Sequence, residues 1–174
     1  MDIDSKLMEE FQQGNKESFE KLIVRHRASA LIFAKKIIKD PHLGEDMVQE
    51  SFADLYVYRD RFNTNYSFKT YLFTIIRNKC IDYIRKNKAL IFEEIHKASN
   101  YTVEKEILSK EQNSIIFKKI NQMKEDYKIA LYLVEYEELS YSEIANIMGK
   151  NLGQIKILIY RARKKLQKLL EGEV

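Results

Sequence analysis

A chain of 174 residues, 45% of them hydrophobic, is long enough for one domain or for two small ones, each with its own core. One proline and five glycines are too few for the many tight turns of an all-β design. A net charge of +4 and an isoelectric point near 8.9 lean weakly towards anionic partners, and no apolar run approaches the ~20 residues of a membrane span.

The opening segment MDIDSKLMEE is too acidic and too polar for a signal peptide. From there apolar residues recur at spacings of three and four. Phe19, Ile23, Ala30, Ala34 and Ile37 predict one face of a long helix over 15–39, which Asp40-Pro41 should end, because proline disfavours helix in the residue before it. Gly44 lies at the start of the next predicted helix, which carries Met47, Val48, Phe52 and Leu55 to about residue 59. Asn63-Thr64-Asn65 reads as a polar loop, and Ser67 as the cap of a third helix with Phe68, Leu72, Ile76 and Tyr83 on its core side. Cys80 lies among Ile76, Ile81 and Ile84 and reads as a packed thiol; a lone cysteine has no internal disulfide partner, which suits a cytoplasmic protein.

The helical pattern weakens over 93–113, a net-acidic connector with some helix expected near 104–108. Further helices are predicted over 111–123, 125–137, 141–148 and 152–170. The fold class is therefore all-α: two small helical domains, 1–92 and 114–174, joined by a linker at 93–113.

The segment SYSEIANIMGKNLGQIKILIYRARK is the most informative. Ser140 with Glu143 fits a capping box, Gly149 can take the positive φ that stops a helix, and Asn151 can cap the next. Two helices joined so tightly have helix-turn-helix anatomy. On the second, Ile155, Ile159, Ala162, Leu166 and Leu169 make one apolar stripe, while Lys156, Tyr160, Arg161, Lys164 and Lys168 fall away from it. Seven basic residues and no acid lie between Lys150 and Lys168, where an ordinary solvated face would mix signs; phosphates account for this better. Ile157 points nearly opposite the stripe, and two readings of it stand open: an incidental exposed side chain, or a contact to a thymine methyl in a major groove.

The segments DPHLGEDMVQESFADLYVYRDRFN and SFKTYLFTIIRNKCIDYIRK, with QQGNKESFEKLIVRH upstream and YSEIANIMGKNLGQIKILIYRARKKL downstream, resemble bacterial RNA polymerase sigma factors of the extracytoplasmic-function class. The resemblance spans nearly the whole chain. It implies that Asp46, Gln49 and Glu50, three and four apart on one helix face, dock on the β′ clamp of the polymerase core, with Phe52 turned to the protein interior. It places −10 element recognition at Asn63, Asn65, Tyr66, Tyr71, Arg77, Asn78, Arg85 and Lys88, the tyrosines as candidates for stacking on unpaired bases. Many relatives carry tryptophan where this chain has Tyr71, and a purely packed role for that ring stands beside the functional one. The −35 element would be read by Gln154, Lys156, Ile157, Tyr160, Arg161 and Lys164. Many relatives have Ser-Arg where this chain has Ile157-Leu158, so the preferred bases do not carry over. The class also implies promoter DNA and an anti-sigma factor as partners.

Other function classes find less support. A free-standing repressor would bring a dimer seam, which nothing in the sequence marks. His26, His42 and His96 fall in separate segments, with no metal-ligand spacing and no glycine-rich phosphate loop, so neither a catalytic group nor a metal or cofactor is expected. His26 lies on its helix's apolar stripe and reads as a packed residue.

Overall fold

The computed structural model describes residues 2–63, 66–88 and 115–172. The chain divides into two compact units, one built by the helices up to Lys86 and the other carrying most of the helical residues from Ile115 onward. Among the described residues there are helices and no strands.

The first unit opens with α1 (Ile3–Gln12), whose N-cap Asp2 accepts a hydrogen bond from the Ser5 amide. No helix predicted from the sequence covers this segment, which buries Leu7, Met8 and Phe11. Gly14, at φ 105°, makes the turn, and Asn15 caps α2 (Lys16–Ile38). The buried face of α2 runs Phe19, Leu22, His26, Ala30, Phe33, Ala34 and Ile38. Ile23 and Ile37, expected on that stripe, are only half-buried, while their neighbours Leu22 and Ile38 take the buried positions. Lys39 ends α2 in the left-handed region at φ 59°. Pro41 then opens α3 (Pro41–Val57) at the first helical position, where a missing amide hydrogen costs nothing, and Asp40 caps it. So Asp40-Pro41 ends one helix and starts the next, and Gly44 lies a full turn inside α3.

Met47, Val48, Phe52 and Leu55 of α3 are buried as expected. A short 3₁₀ turn, Arg59–Arg61, leads away from α3. The side chain of Gln12 reaches it from α1, donating to the carbonyl oxygens of Arg59 at 2.8 Å and Phe62 at 3.3 Å. α4 (Phe68–Lys86) begins where the Ser67 hydroxyl accepts from the Thr70 amide, the cap the sequence predicts. Phe68, Leu72, Phe73, Ile76 and Cys80 of α4 are fully buried, whereas Tyr83 is half-buried. Phe33 of α2 stacks on Phe73 of α4 with centroids 4.6 Å apart. The core is thus an aromatic and aliphatic wedge among α1, α2, α3 and α4.

In the second unit, α5 (Ile115–Asn121) and α6 (Glu125–Leu131) precede a π-helical turn, Tyr132–Tyr136. The expected helix over 125–137 is therefore α-helical only in its first half. The wider turn accompanies a hydrogen bond from the Tyr132 hydroxyl to Glu137 at 2.5 Å. Glu138, at φ 53°, closes the segment. Then come α7 (Tyr141–Met148) and α8 (Leu152–Glu171), within a residue of the predicted bounds. Met123, Leu131, Ala162 and Leu169 form one hydrophobic cluster of this unit, with Tyr127 and Leu166 packed on it. The linker at 93–113, its expected helix near 104–108, and residues 111–114 of the predicted 111–123 helix lie outside the described residues.

Candidate nucleic-acid interface

The turn between α7 and α8 is fixed by caps at both ends. Ser140 and Glu143 exchange hydrogen bonds across the first turn of α7: the Ser140 amide donates to Glu143, and the Glu143 amide to the Ser140 hydroxyl. Gly149, at φ 61°, stops α7, and the Lys150 amide closes on the Ala145 carbonyl. Asn151 then caps α8 in a second reciprocal box. Its side chain accepts from the Gln154 amide at 2.9 Å, and its own amide donates to Gln154 Oε1 at 2.9 Å. Gln154, predicted as a base reader, therefore has its carboxamide oxygen committed to the cap.

α8 buries Ile155, Ile159, Ala162 and Leu169 and half-buries Leu166, the stripe predicted from spacing. Gln154, Lys156, Ile157, Tyr160, Arg161 and Lys164 are all exposed. The basic crowd of Lys150–Lys168 divides in two. Arg163 donates twice to Glu135 Oε1, at 3.0 and 2.7 Å, and once to the Tyr141 hydroxyl at 3.4 Å; Lys150 lies 3.3 Å from Asp126. These two cations serve the unit's own packing. Lys156, Arg161 and Lys164 have no acidic partner among the described residues, and the Lys164 ammonium lies 5.9 Å from the Tyr160 ring. A desolvation-free, unpaired row of cations on one helix face is the footprint that a phosphate backbone fits.

In the first unit, Asp46, Gln49 and Glu50 stand exposed on one face of α3, opposite buried Phe52. Lys79 of α4 was not foreseen here. Its ammonium lies 2.7 Å from Asp54 and 3.6 Å from Glu50. Partial burial works to lower the pKa of Lys79, but the Asp54 and Glu50 carboxylates outweigh it and hold it above the ordinary lysine value. Glu50 is thus held from one side and open to solvent on the other.

Of the predicted −10 residues, Tyr66 is 55% exposed, and Asn63, Asn78, Arg85 and Lys88 are also exposed. Arg77 is half-buried, and Arg85 pairs with Asp82 at 3.0 Å. Tyr71 is half-buried, meeting the edge of Phe62 with centroids 5.4 Å apart, while Phe62 meets Phe68 at 6.1 Å. Tyr71 thus braces the loop through Phe62 and still shows part of its ring to solvent. Asn65 lies outside the described residues. The Gln12 side chain, which pins the 3₁₀ turn leading to this loop, is a supporting residue no local pattern could reveal, since its partners are 47 and 50 positions away.

Cys80 and His26 belong to the packing of the first unit. Cys80 is buried and its thiol is pushed up to about 12, leaving it unreactive. His26 Nε2 lies 2.7 Å from Asp4 Oδ2, inside the first unit rather than at its surface. Among the described residues no cluster of three or more His, Cys, Asp or Glu is placed to hold a metal ion, and no helix is long and apolar enough to cross a membrane.

Two helical units, one with an acidic helix face and a polar loop, the other a helix-turn-helix whose second helix presents Lys156, Arg161 and Lys164, define a DNA-directed transcription factor. The chain matches the Sigma-70 region 2 family over residues 22–90 and the Sigma-70, region 4 family over residues 114–166. It belongs to the sigma-70 family of RNA polymerase sigma factors, in the extracytoplasmic-function class. It is 31% identical to the ECF RNA polymerase sigma-E factor of Haemophilus influenzae, the match covering 97% of this chain and 95% of that one. Among solved structures, CnrH in complex with the cytosolic domain of CnrY shares the fold, with a TM-score of 0.69 and 22% identity over 99% of this chain and 100% of that one. The sigma factor RpoE in complex with the anti-sigma factor NepR from Bartonella quintana gives a TM-score of 0.68 at 25% identity, over 91% of this chain and 99% of that one. Sigma factors are transcription initiation factors: they bind the polymerase core and direct it to promoters.

Proposed function

We propose that residues 1–92 dock on the polymerase core and capture the −10 element, that 93–113 form the tether, and that 114–174 read the −35 element. In this reading Asp46, Gln49 and Glu50 meet basic groups of the β′ clamp. Asn63, Asn65, Tyr66, Tyr71, Arg77, Asn78, Arg85 and Lys88 line the path of the −10 strand, and the exposed face of α8 enters the upstream major groove. The observation that carries it is the separation of faces on α8: all six proposed readers are exposed, and Lys156, Arg161 and Lys164 lack acidic partners among the described residues. The chain itself supplies no catalytic group; chemistry belongs to the polymerase, and the place of action is the cytoplasm. The solved RpoE complex contains an anti-sigma factor, and that supports a protein inhibitor of the same kind for this chain.

Transcription reconstituted with polymerase core on a randomised promoter library tests the whole reading. The wild-type chain should start RNA at defined sites. Glu50→Arg should weaken core binding by about tenfold or more through like-charge repulsion, with the fold intact. Arg161→Ala should leave core binding alone and weaken binding to the upstream element, and Lys156→Ala, at a phosphate, should lower the salt slope by about 1. Core affinity unchanged by Glu50→Arg would remove the clamp assignment, and an unaltered upstream footprint with Arg161→Ala would remove the reading helix.

A further inference from the structure

We infer that Ile157 reads a thymine through its C5-methyl group and so makes the −35 preference of this chain partly apolar; the inference rests on the proposed reading of that element by α8. Ile157 is 53% exposed on a helix that buries its neighbouring isoleucines, Ile155 and Ile159, to within 1%. Helical spacing sets Gln154, Ile157 and Arg161 at steps of three and four, so they form one ridge. All three line a shallow groove of about 310 Å³, together with Tyr127, Lys150 and Leu158. The ridge therefore has an apolar middle between two polar ends.

The two ends are not equivalent. A bidentate contact to adenine needs both the oxygen and the nitrogen of a carboxamide. Gln154 Oε1 already accepts from the Asn151 amide at 2.9 Å, so such a contact would break the cap of α8. Arg161 carries no such commitment: it is exposed and has no acidic partner among the described residues, and its fork suits the O6 and N7 acceptors of guanine. On this ridge, base readout then falls to Ile157 and Arg161. Four residues of helix span about 6 Å, and base pairs step by ~3.4 Å, which places the thymine and the guanine within about two base pairs. The isoleucine side chain itself offers no hydrogen bond to a base that presents only polar groups at its major-groove edge.

The test removes one methyl group and nothing else. Promoters selected by the full chain with polymerase core from a randomised pool are remade with each upstream thymine replaced, singly, by deoxyuridine. Wild-type holoenzyme should lose about fourfold in affinity at one position, the value of one buried methyl group. Ile157→Ser holoenzyme should bind the thymine and deoxyuridine versions equally. If no single replacement matters while Lys156→Ala and Arg161→Ala still weaken upstream binding, the methyl contact is wrong and the −35 reading stands. If those two variants also bind like wild type, the −35 reading itself falls. A deoxyuridine loss that persists undiminished in Ile157→Ser would assign the methyl contact to another residue and overturn the inference.

Discussion

Asp4 grips two side chains of α2 at once. One carboxylate oxygen takes Arg25 at 2.8 Å and the other takes His26 at 2.7 Å, fastening α1 to the helix beneath it. His26 is buried, tilted against the Phe68 ring at 5.1 Å, and faces Asp4, Arg25 and Lys69. Burial lowers its pKa, and the attraction of Asp4 only partly offsets this, so the folded ring stays neutral below its ordinary value of 6.5. The unfolded chain takes up that proton as pH falls through 6.5; the native one resists. Stability is therefore complete above that pH and is lost as pH drops towards the folded value. Urea midpoints at pH 7.5 and pH 5.5 should differ in wild type, and the difference should shrink in His26→Gln; an equal difference in both would clear His26 of the role. The sequence placed His26 in the interior from its position on the stripe, but gave no hint of Asp4, 22 positions away. Lys79 was illegible for the same reason: only the fold brings it to Asp54 and Glu50. Arg163 shows the converse, a cation that local charge counting assigned to phosphate and that Glu135 claims from across the unit.

Helix ends were more legible than helix interiors. Ser67, Ser140, Asn151 and Gly149 all act as the caps or stops their chemistry suggests, because a cap is decided within four residues. The first turn of α8 depends on such a cap. Asn151→Ala removes the acceptor for the Gln154 amide and should cost about 1 kcal/mol. Hydrogen exchange of the amides at the start of α8 should quicken about fivefold, with the first unit unaffected; unchanged protection there would mean the helix start is held by something else. α1 was missed although Leu7, Met8 and Phe11 have helical spacing. Ten residues do not hold a helix alone, and its stability comes from Phe11 stacking on Phe19 with centroids 4.5 Å apart. The π turn at Tyr132–Tyr136 was beyond local reading, since nothing in the sequence distinguishes it from ordinary helix.

For the molecule as a whole, a formal charge of +4 hides its organisation, because the basic excess lies at the two ends and the acidic excess between them. Each proposed contact with promoter DNA is weak by itself, and tethering makes the second contact effectively intramolecular. A protease site engineered into 93–113 offers the check. Cutting it in the assembled holoenzyme should lower promoter affinity about a hundredfold without changing the affinity of the first unit for polymerase core. Equal promoter affinity before and after cutting would mean that one unit carries recognition alone. Within the first unit, Lys79 sits one and two residues after the proposed strand-binding pair Asn78 and Arg77, and its ammonium touches two carboxylates of α3. If α3 docks as proposed and a basic group of the partner draws Glu50 away, Asp54 at 2.7 Å still anchors the lysine. In the proposed docking, Glu50 trades the Lys79 cation for one of the partner while the adjoining turn of α4 keeps its footing.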